Sequence, residues 1–244
     1  DRGLKLFDVD LDGDLDLLHH DGEITRLHRN ADGVLDAGTV INEDTTQETF
    51  GNGLNVCDVN GDGFEDVIVA FNVSGPGAGV PKLFVNVAGT LKPSAVQRGT
   101  PSDPDSLIGR NGHSACGDID ADGMADVLVR WKGTYRLLRG ANTLTNRFRL
   151  RIVGAGGERN QQGRIVRVVP QEAPNRIITR VIESGSGLRS QSQYDLLIGA
   201  PWPGTYFVTV GFAAGDVATT AVAGDLLTIF ADGRVENDRE DDEE

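Results

Sequence analysis

Asp8, Asp10, Asp12 and Asp16 stand at positions 1, 3, 5 and 9 of the run DVDLDGDLD, and the same spacing returns twice more along the chain. DVNGDGFED supplies Asp58, Asn60, Asp62 and Asp66, and DIDADGMAD supplies Asp118, Asp120, Asp122 and Asp126. Oxygen side chains at that spacing converge on one hard cation, with a glycine at position 6 for the sharp turn and the carbonyl of position 7 as a further donor. Those carbonyls belong to Asp14, Phe64 and Met124. The expected ion is calcium, about three per chain on the rule of one per loop. Magnesium seldom accepts a cage made entirely of protein, and zinc lacks its preferred Cys and His ligands here.

Asp, Asn and Gly also punctuate turns for conformational reasons alone, which one copy could not exclude. Three copies in one register argue against that explanation. An EF-hand is excluded because position 12 is His19, Val69 or Val129, where a bidentate Glu is required.

Short apolar, partly β-branched runs follow each loop: LDLLHH, EDVIVAF and ADVLVRW. ITRLHRN, KLFVNV and YRLLRG come next, with turns at Ala31-Asp32-Gly33 and Ala88-Gly89-Thr90. These are strand signals, so each unit reads as strand, loop, strand, strand, turn, strand. The first loop residues, Asp8, Asp58 and Asp118, set the repeat length, which suits propeller blades. The fold class is therefore all-β: a partial β-propeller of three blades over residues 1–141, then a β-sandwich-like domain over 142–235. The block ENDREDDEE at 236–244 contains no apolar residue and is expected to be a disordered tail.

The loops and their flanking strands resemble FG-GAP/VCBS repeats, the calcium-loop blades of integrin-type propellers. NRFRLRIVG at 146–154, RNQQGRIVRV at 159–168 and SGSGLRSQSQ at 184–193 resemble the ASPIC/UnbV domain that follows such repeats in cartilage acidic protein and its bacterial relatives. The resemblance implies a secreted or cell-surface, calcium-dependent interaction protein, and it brings no catalytic residues with it.

Net charge is −14, distributed as −11 over 1–141, +6 over 142–190 and −9 over 191–244. The acidity of the first segment is largely that of the proposed ligands. In the basic segment Arg147, Arg149 and Arg151 alternate with Phe148, Leu150 and Ile152, so a strand places the arginines on one face; Arg164 and Arg167 extend the patch. Arginine forks bind carboxylate and sulfate groups, which suggests an acidic glycan or acidic protein as partner. A solvated outer sheet face is the competing reading.

Cys57 immediately precedes Asp58, whereas Gly117 separates Cys116 from Asp118. Innermost strands of adjacent blades are expected to lie too far apart for a bridge, so two buried free thiols are expected, with a disulfide open in an oxidising compartment.

Catalytic constellations are absent from the sequence: Gly112–Cys116 lacks the final Gly of a nucleophile elbow, and Gly154–Gly157 opens no helix. Net acidity disfavours nucleic acid, and no apolar run reaches membrane-spanning length. Closed propellers need four to eight blades, so further blades or another chain, including copies of this one, are expected to complete the array. The expected function is a non-enzymatic adhesion, matrix or assembly module. The alternative is a carbohydrate-binding module or a non-catalytic part of a polysaccharide-acting enzyme.

Overall fold

The computed structural model describes residues 3–21, 24–43, 50–72, 82–94, 113–131, 134–140, 146–183 and 194–238. The 184–193 part of the C-terminal resemblance and tail residues 239–244 lie outside them. The described residues form strands and turns without a helix.

Three antiparallel meanders make the N-terminal half. Blade 1 contains β1 (Gly3–Phe7), β2 (Asp16–His20) and β3 (Ile24–His28). A small hairpin of β4 (Asn30–Ala31) and β5 (Val34–Leu35) follows, and β6 (Thr39–Glu43) closes the sheet against β3. Blade 2 is β7 (Phe50–Cys57), β8 (Asp66–Asn72), β9 (Lys82–Val87) and β10 (Thr90–Pro93). Among the described residues blade 3 has three strands, β11 (His113–Gly117), β12 (Asp126–Trp131) and β13 (Thr134–Leu138).

Each acidic loop joins the first two strands of its blade at one register, where Phe7 pairs with Asp16, Cys57 with Asp66 and Gly117 with Asp126. The turns at Asp32-Gly33 and Ala88-Gly89 both place two successive residues at positive φ, the type I′ geometry that matches strand twist in two-residue hairpins. The blades pack through their alternating apolar positions. Phe7, Leu18 and Leu27 of blade 1 meet Leu54, Val67, Val69 and Phe84 of blade 2. Cys57 and Ile68 of blade 2 meet Cys116, Val127 and Val129 of blade 3.

The expectation of free thiols is corrected: Cys57 and Cys116 form a disulfide with a Cα–Cα distance of 6.4 Å. Side chains alternate across a strand, so the one-residue offset between the two cysteines turns Cys57 towards blade 3 and Cys116 back towards blade 2. The first strands of the two blades also run within bridging distance of each other.

The second half is a two-sheet sandwich. One sheet contains β14 (Arg147–Val153), flanked by antiparallel β17 (Leu196–Gly199) and parallel β20 (Leu226–Phe230), with β21 (Val235–Asn237) outside β20. The other is ordered β16 (Ile178–Val181), β15 (Ile165–Pro170), β18 (Tyr206–Phe212) and β19 (Gly215–Ala221). Phe148, Leu150 and Ile152 enter its core with Val166, Val168, Tyr206, Val208 and Ile229. Glu236 and Asn237, expected in the tail, belong to β21, and the Asp238 amide donates to the Leu226 carbonyl at 2.9 Å.

Candidate metal centres

The position-9 aspartate is the most regular feature of the three loops. One oxygen of Asp16, Asp66 and Asp126 accepts the amide of position 2, from Val9 at 2.8 Å, Val59 at 2.9 Å and Ile119 at 3.0 Å. The other oxygen accepts an amide just beyond the third strand, from Asn30 at 2.8 Å and Gly140 at 3.0 Å, or near that strand's end, from Asn86 at 2.8 Å. All three carboxylates are buried. Each thus ties the loop to its blade while keeping further lone pairs available.

Position 5 turns the chain. Asp12, Asp62 and Asp122 accept the amides of Asp14, Phe64 and Met124 at 2.9, 3.0 and 2.8 Å, which aligns the position-7 residues whose carbonyls are the expected backbone donors. Gly13, Gly63 and Gly123 at position 6 have φ of 100°, 88° and 82°. Position 4 is left-handed too: Leu11, Gly61 and Ala121 have φ of 59°, 67° and 62°. Nothing in the residue types marks this at Leu11 and Ala121, because only glycine adopts that conformation without cost.

The loops gather carboxylates to different degrees. One oxygen from each of Asp8, Asp10 and Asp16 lies within 4.8 Å of the others, and the same holds for Asp118, Asp120 and Asp126. Asp12 and Asp122 fall outside these trios, held on the turn amides. In the second loop Asn60 replaces the third carboxylate; its Oδ1 accepts the Asp62 amide at 3.1 Å, and Asp58 accepts the amides of Asp62 and Gly63 at 3.0 and 2.8 Å. Asp8 Oδ1 and Asp10 Oδ1 are buried without a hydrogen-bond partner among the described residues. Such oxygens, in an all-oxygen donor set, fit a calcium ion. Burial pushes Asp8 and Asp58 up to about 7 and Asp66 up to about 8, and raises Asp16 and Asp62 as well. A divalent cation held there would supply the charge that burial withholds.

The sandwich sits directly on all three loops. At the first, Leu11 is 0 % exposed within the sandwich core, and its carbonyl accepts the Ile177 amide at 3.0 Å. Asp8 Oδ2 accepts the Thr179 amide at 3.1 Å, and the Thr179 hydroxyl donates to the Gly13 carbonyl at 3.1 Å. At the second, buried Arg180 donates to the Gly63 carbonyl at 2.7 Å and lies 3.5 Å from Glu65. At the third, Arg147 donates to the Asp122 carbonyl and Arg149 pairs with Asp118. The position-6 glycines touch this roof: an added Cβ would lie 3.1 Å from Ile177 at Gly13, 3.1 Å from Pro201 at Gly63 and 2.5 Å from Arg147 at Gly123. Buried Lys5 of blade 1 and half-buried Glu183 of the sandwich add an ion pair beside the joint.

Three members of the arginine row have partners within the chain. Arg147 and Arg149 are spent on the third loop, and Arg151 holds Asp195 at 2.8 Å. Arg164 stacks over Phe212 at 5.7 Å, and Arg167 is exposed on β15. The missed residues are Leu11, Thr179 and Arg180. Only the apolar Leu11 amid acidic neighbours carried any signal.

Acidic loops at matching strand junctions define a propeller-type repeat. Residues 58–129, which span the second and third loops, match the FG-GAP-like repeat family. Repeats of that family are generally non-catalytic blades of extracellular propellers and often bind calcium. No curated protein matches the chain. Among the described residues, no helix is long and apolar enough to cross a membrane.

Proposed function

We propose that the chain is a non-enzymatic, calcium-stabilised extracellular module. It is secreted or held at the cell surface, and it serves adhesion, matrix or assembly by joining other chains, or copies of itself, into a larger β array. The reading rests on the thrice-repeated clamp, in which a buried position-9 carboxylate spends its oxygens on backbone amides at a strand junction. Carboxylates so engaged serve architecture and are poor acid–base groups. About three calcium ions, one per loop, would neutralise them, and their binding energy becomes folding energy. The β-sandwich is read as an ASPIC/UnbV-like domain. The carbohydrate-binding alternative would have to use arginines that are already engaged within the chain, Arg147, Arg149 and Arg151.

Thermal melting in excess calcium and in excess EDTA tests this. One ion at about a hundred times its Kd contributes roughly 2.7 kcal/mol, and each kcal/mol moves Tm by about 2–4 °C at this size. Chelation should therefore lower Tm on the order of 10 °C or more, summed over several sites. Superimposable curves refute the reading.

A further inference from the structure

Equivalent positions of the blades do equivalent packing until the flanks are reached. Counted from the acidic loops and the strand registers, Leu54, Val56, Val67, Val69 and Phe84 of blade 2 correspond to Leu4, Leu6, Leu17, His19 and His28 of blade 1. In blade 2 this face is packed against blade 1, with Leu54 2 % exposed. In blade 1 the same face looks outward, with Leu4 59 % and Leu6 48 % exposed.

The opposite flank mirrors this. Leu18 and Leu27 of blade 1, and Ile68 and Leu83 of blade 2, pack towards the following blade. Their equivalents in blade 3 are Leu128 and Leu137, paired across β12 and β13. Leu137 is 38 % exposed, and Tyr135, two residues earlier on the same side of β13, is 68 % exposed. Among the described residues β13 is also a sheet edge, where blades 1 and 2 carry a fourth strand.

One chain thus carries both halves of a blade–blade joint, one at each flank. We propose that these halves meet between two copies of this chain, head to tail: Leu128, Leu137 and Tyr135 of one copy pack on Leu4, Leu6 and Leu17 of the next. The blade 1–blade 2 joint is the template, since it packs the equivalents of Leu128 and Leu137 (Leu18 and Leu27) against those of Leu4, Leu6 and Leu17 (Leu54, Val56 and Val67). The two patches differ, so the contact is heterologous and either closes into a ring or extends. This deepens the assembly reading above and rests on it.

The test is the native mass of the 244-residue chain in calcium, by light scattering across a dilution series. The expected wild-type particle exceeds one chain and dissociates on dilution. Leu6→Glu and Leu137→Glu each spoil one half, so each variant alone should be monomeric. Mixed, they retain one intact half apiece and should form a two-chain particle. Each variant's melting curve in calcium checks folding, and Leu4→Glu and Tyr135→Glu replace any variant that does not fold. A monomeric wild type, or variants that keep the wild-type mass, overturns the joint. A monomer that still loses Tm in EDTA does so while leaving the calcium reading intact.

Discussion

The first and third acidic loops share their spacing, their position-9 clamp and their left-handed turn, yet the sandwich grips them by different means. Loop 1 is held mainly by backbone and apolar burial: Leu11 is inserted into the sandwich core, the Ile177 and Thr179 amides bond to Leu11 and Asp8, and Arg176 adds one bond to the Asp10 carbonyl at 3.1 Å. Loop 3 is held by side-chain charge, with Arg149 on Asp118 and Arg147 on the Asp122 carbonyl. The position-4 residue differs accordingly, buried Leu11 against exposed Ala121. An acidic loop therefore has two duties in this fold. Its carboxylates collect charge, and its outer turn is a seat for the neighbouring domain, whose chemistry varies while the carboxylate pattern stays constant.

The largest expected effect separates the two seats. Leu11→Asp places a carboxylate in the sandwich core and should cost about 4 kcal/mol or more. Ala121→Asp, at the same loop position and a similar φ, should stay within about 0.5 kcal/mol. Aspartate tolerates the left-handed region, so the contrast isolates burial from backbone strain. Urea denaturation of both variants in calcium reads the difference; equal losses would mean that loop 1 is seated no more deeply than loop 3.

A second effect concerns charge in the first two loops. Burial raises Asp8 and Asp58 to about 7 and Asp66 to about 8. In metal-free protein the folded state then holds more protons than the unfolded state between about pH 4 and pH 7–8, so stability falls as pH rises through that window. Each pKa unit corresponds to about 1.4 kcal/mol. Calcium binds the ionised form and should reverse the slope. Denaturation midpoints from pH 4 to 8 in EDTA and in calcium check this, and Asp8→Asn should flatten part of the metal-free slope. A metal-free midpoint that climbs with pH would contradict it.

Much of this was legible in the sequence, because the loops serve as registration marks. Once Asp8, Asp58 and Asp118 are aligned, the strands on either side follow from alternation, and the two type I′ turns follow from Asp-Gly and Ala-Gly between apolar runs. The cysteine offset was legible too, but its meaning depends on which way each strand faces, and spacing alone does not supply that. The seat of the sandwich was not legible. Thr179, Arg180 and Arg149 lie 171, 117 and 31 residues along the chain from the loop residues they contact, and nothing local marks an arginine as paired or free. The alternation of Arg147, Arg149 and Arg151 correctly placed a strand with one charged face. That this face looks inward, onto a loop of opposite sign, is a tertiary fact.

The smallest effect tests whether the arginines compete with the ion. Arg149 pairs with Asp118, a side chain only 1 % exposed, so in metal-free protein the guanidinium offsets part of the charge that calcium would neutralise. Arg149→Met keeps the length and apolar stem and removes that charge. Metal-free protein should then lose about 1–2 kcal/mol, because a buried carboxylate gives up its charged partner. The calcium-loaded protein should lose less, since the ion takes over that role. By linkage the third loop should bind calcium about tenfold more tightly, the equivalent of about 1.4 kcal/mol. Calorimetric titration reads the affinity, and paired melts with and without EDTA read the two stabilities. Loop 1 serves as the comparison, because its own cations, Arg29 on Asp10 and Arg180 near Asp8, are left in place by the substitution. A uniform change at every site would show that Arg149 acts through the sandwich as a whole; a change confined to one site locates the competition at Asp118.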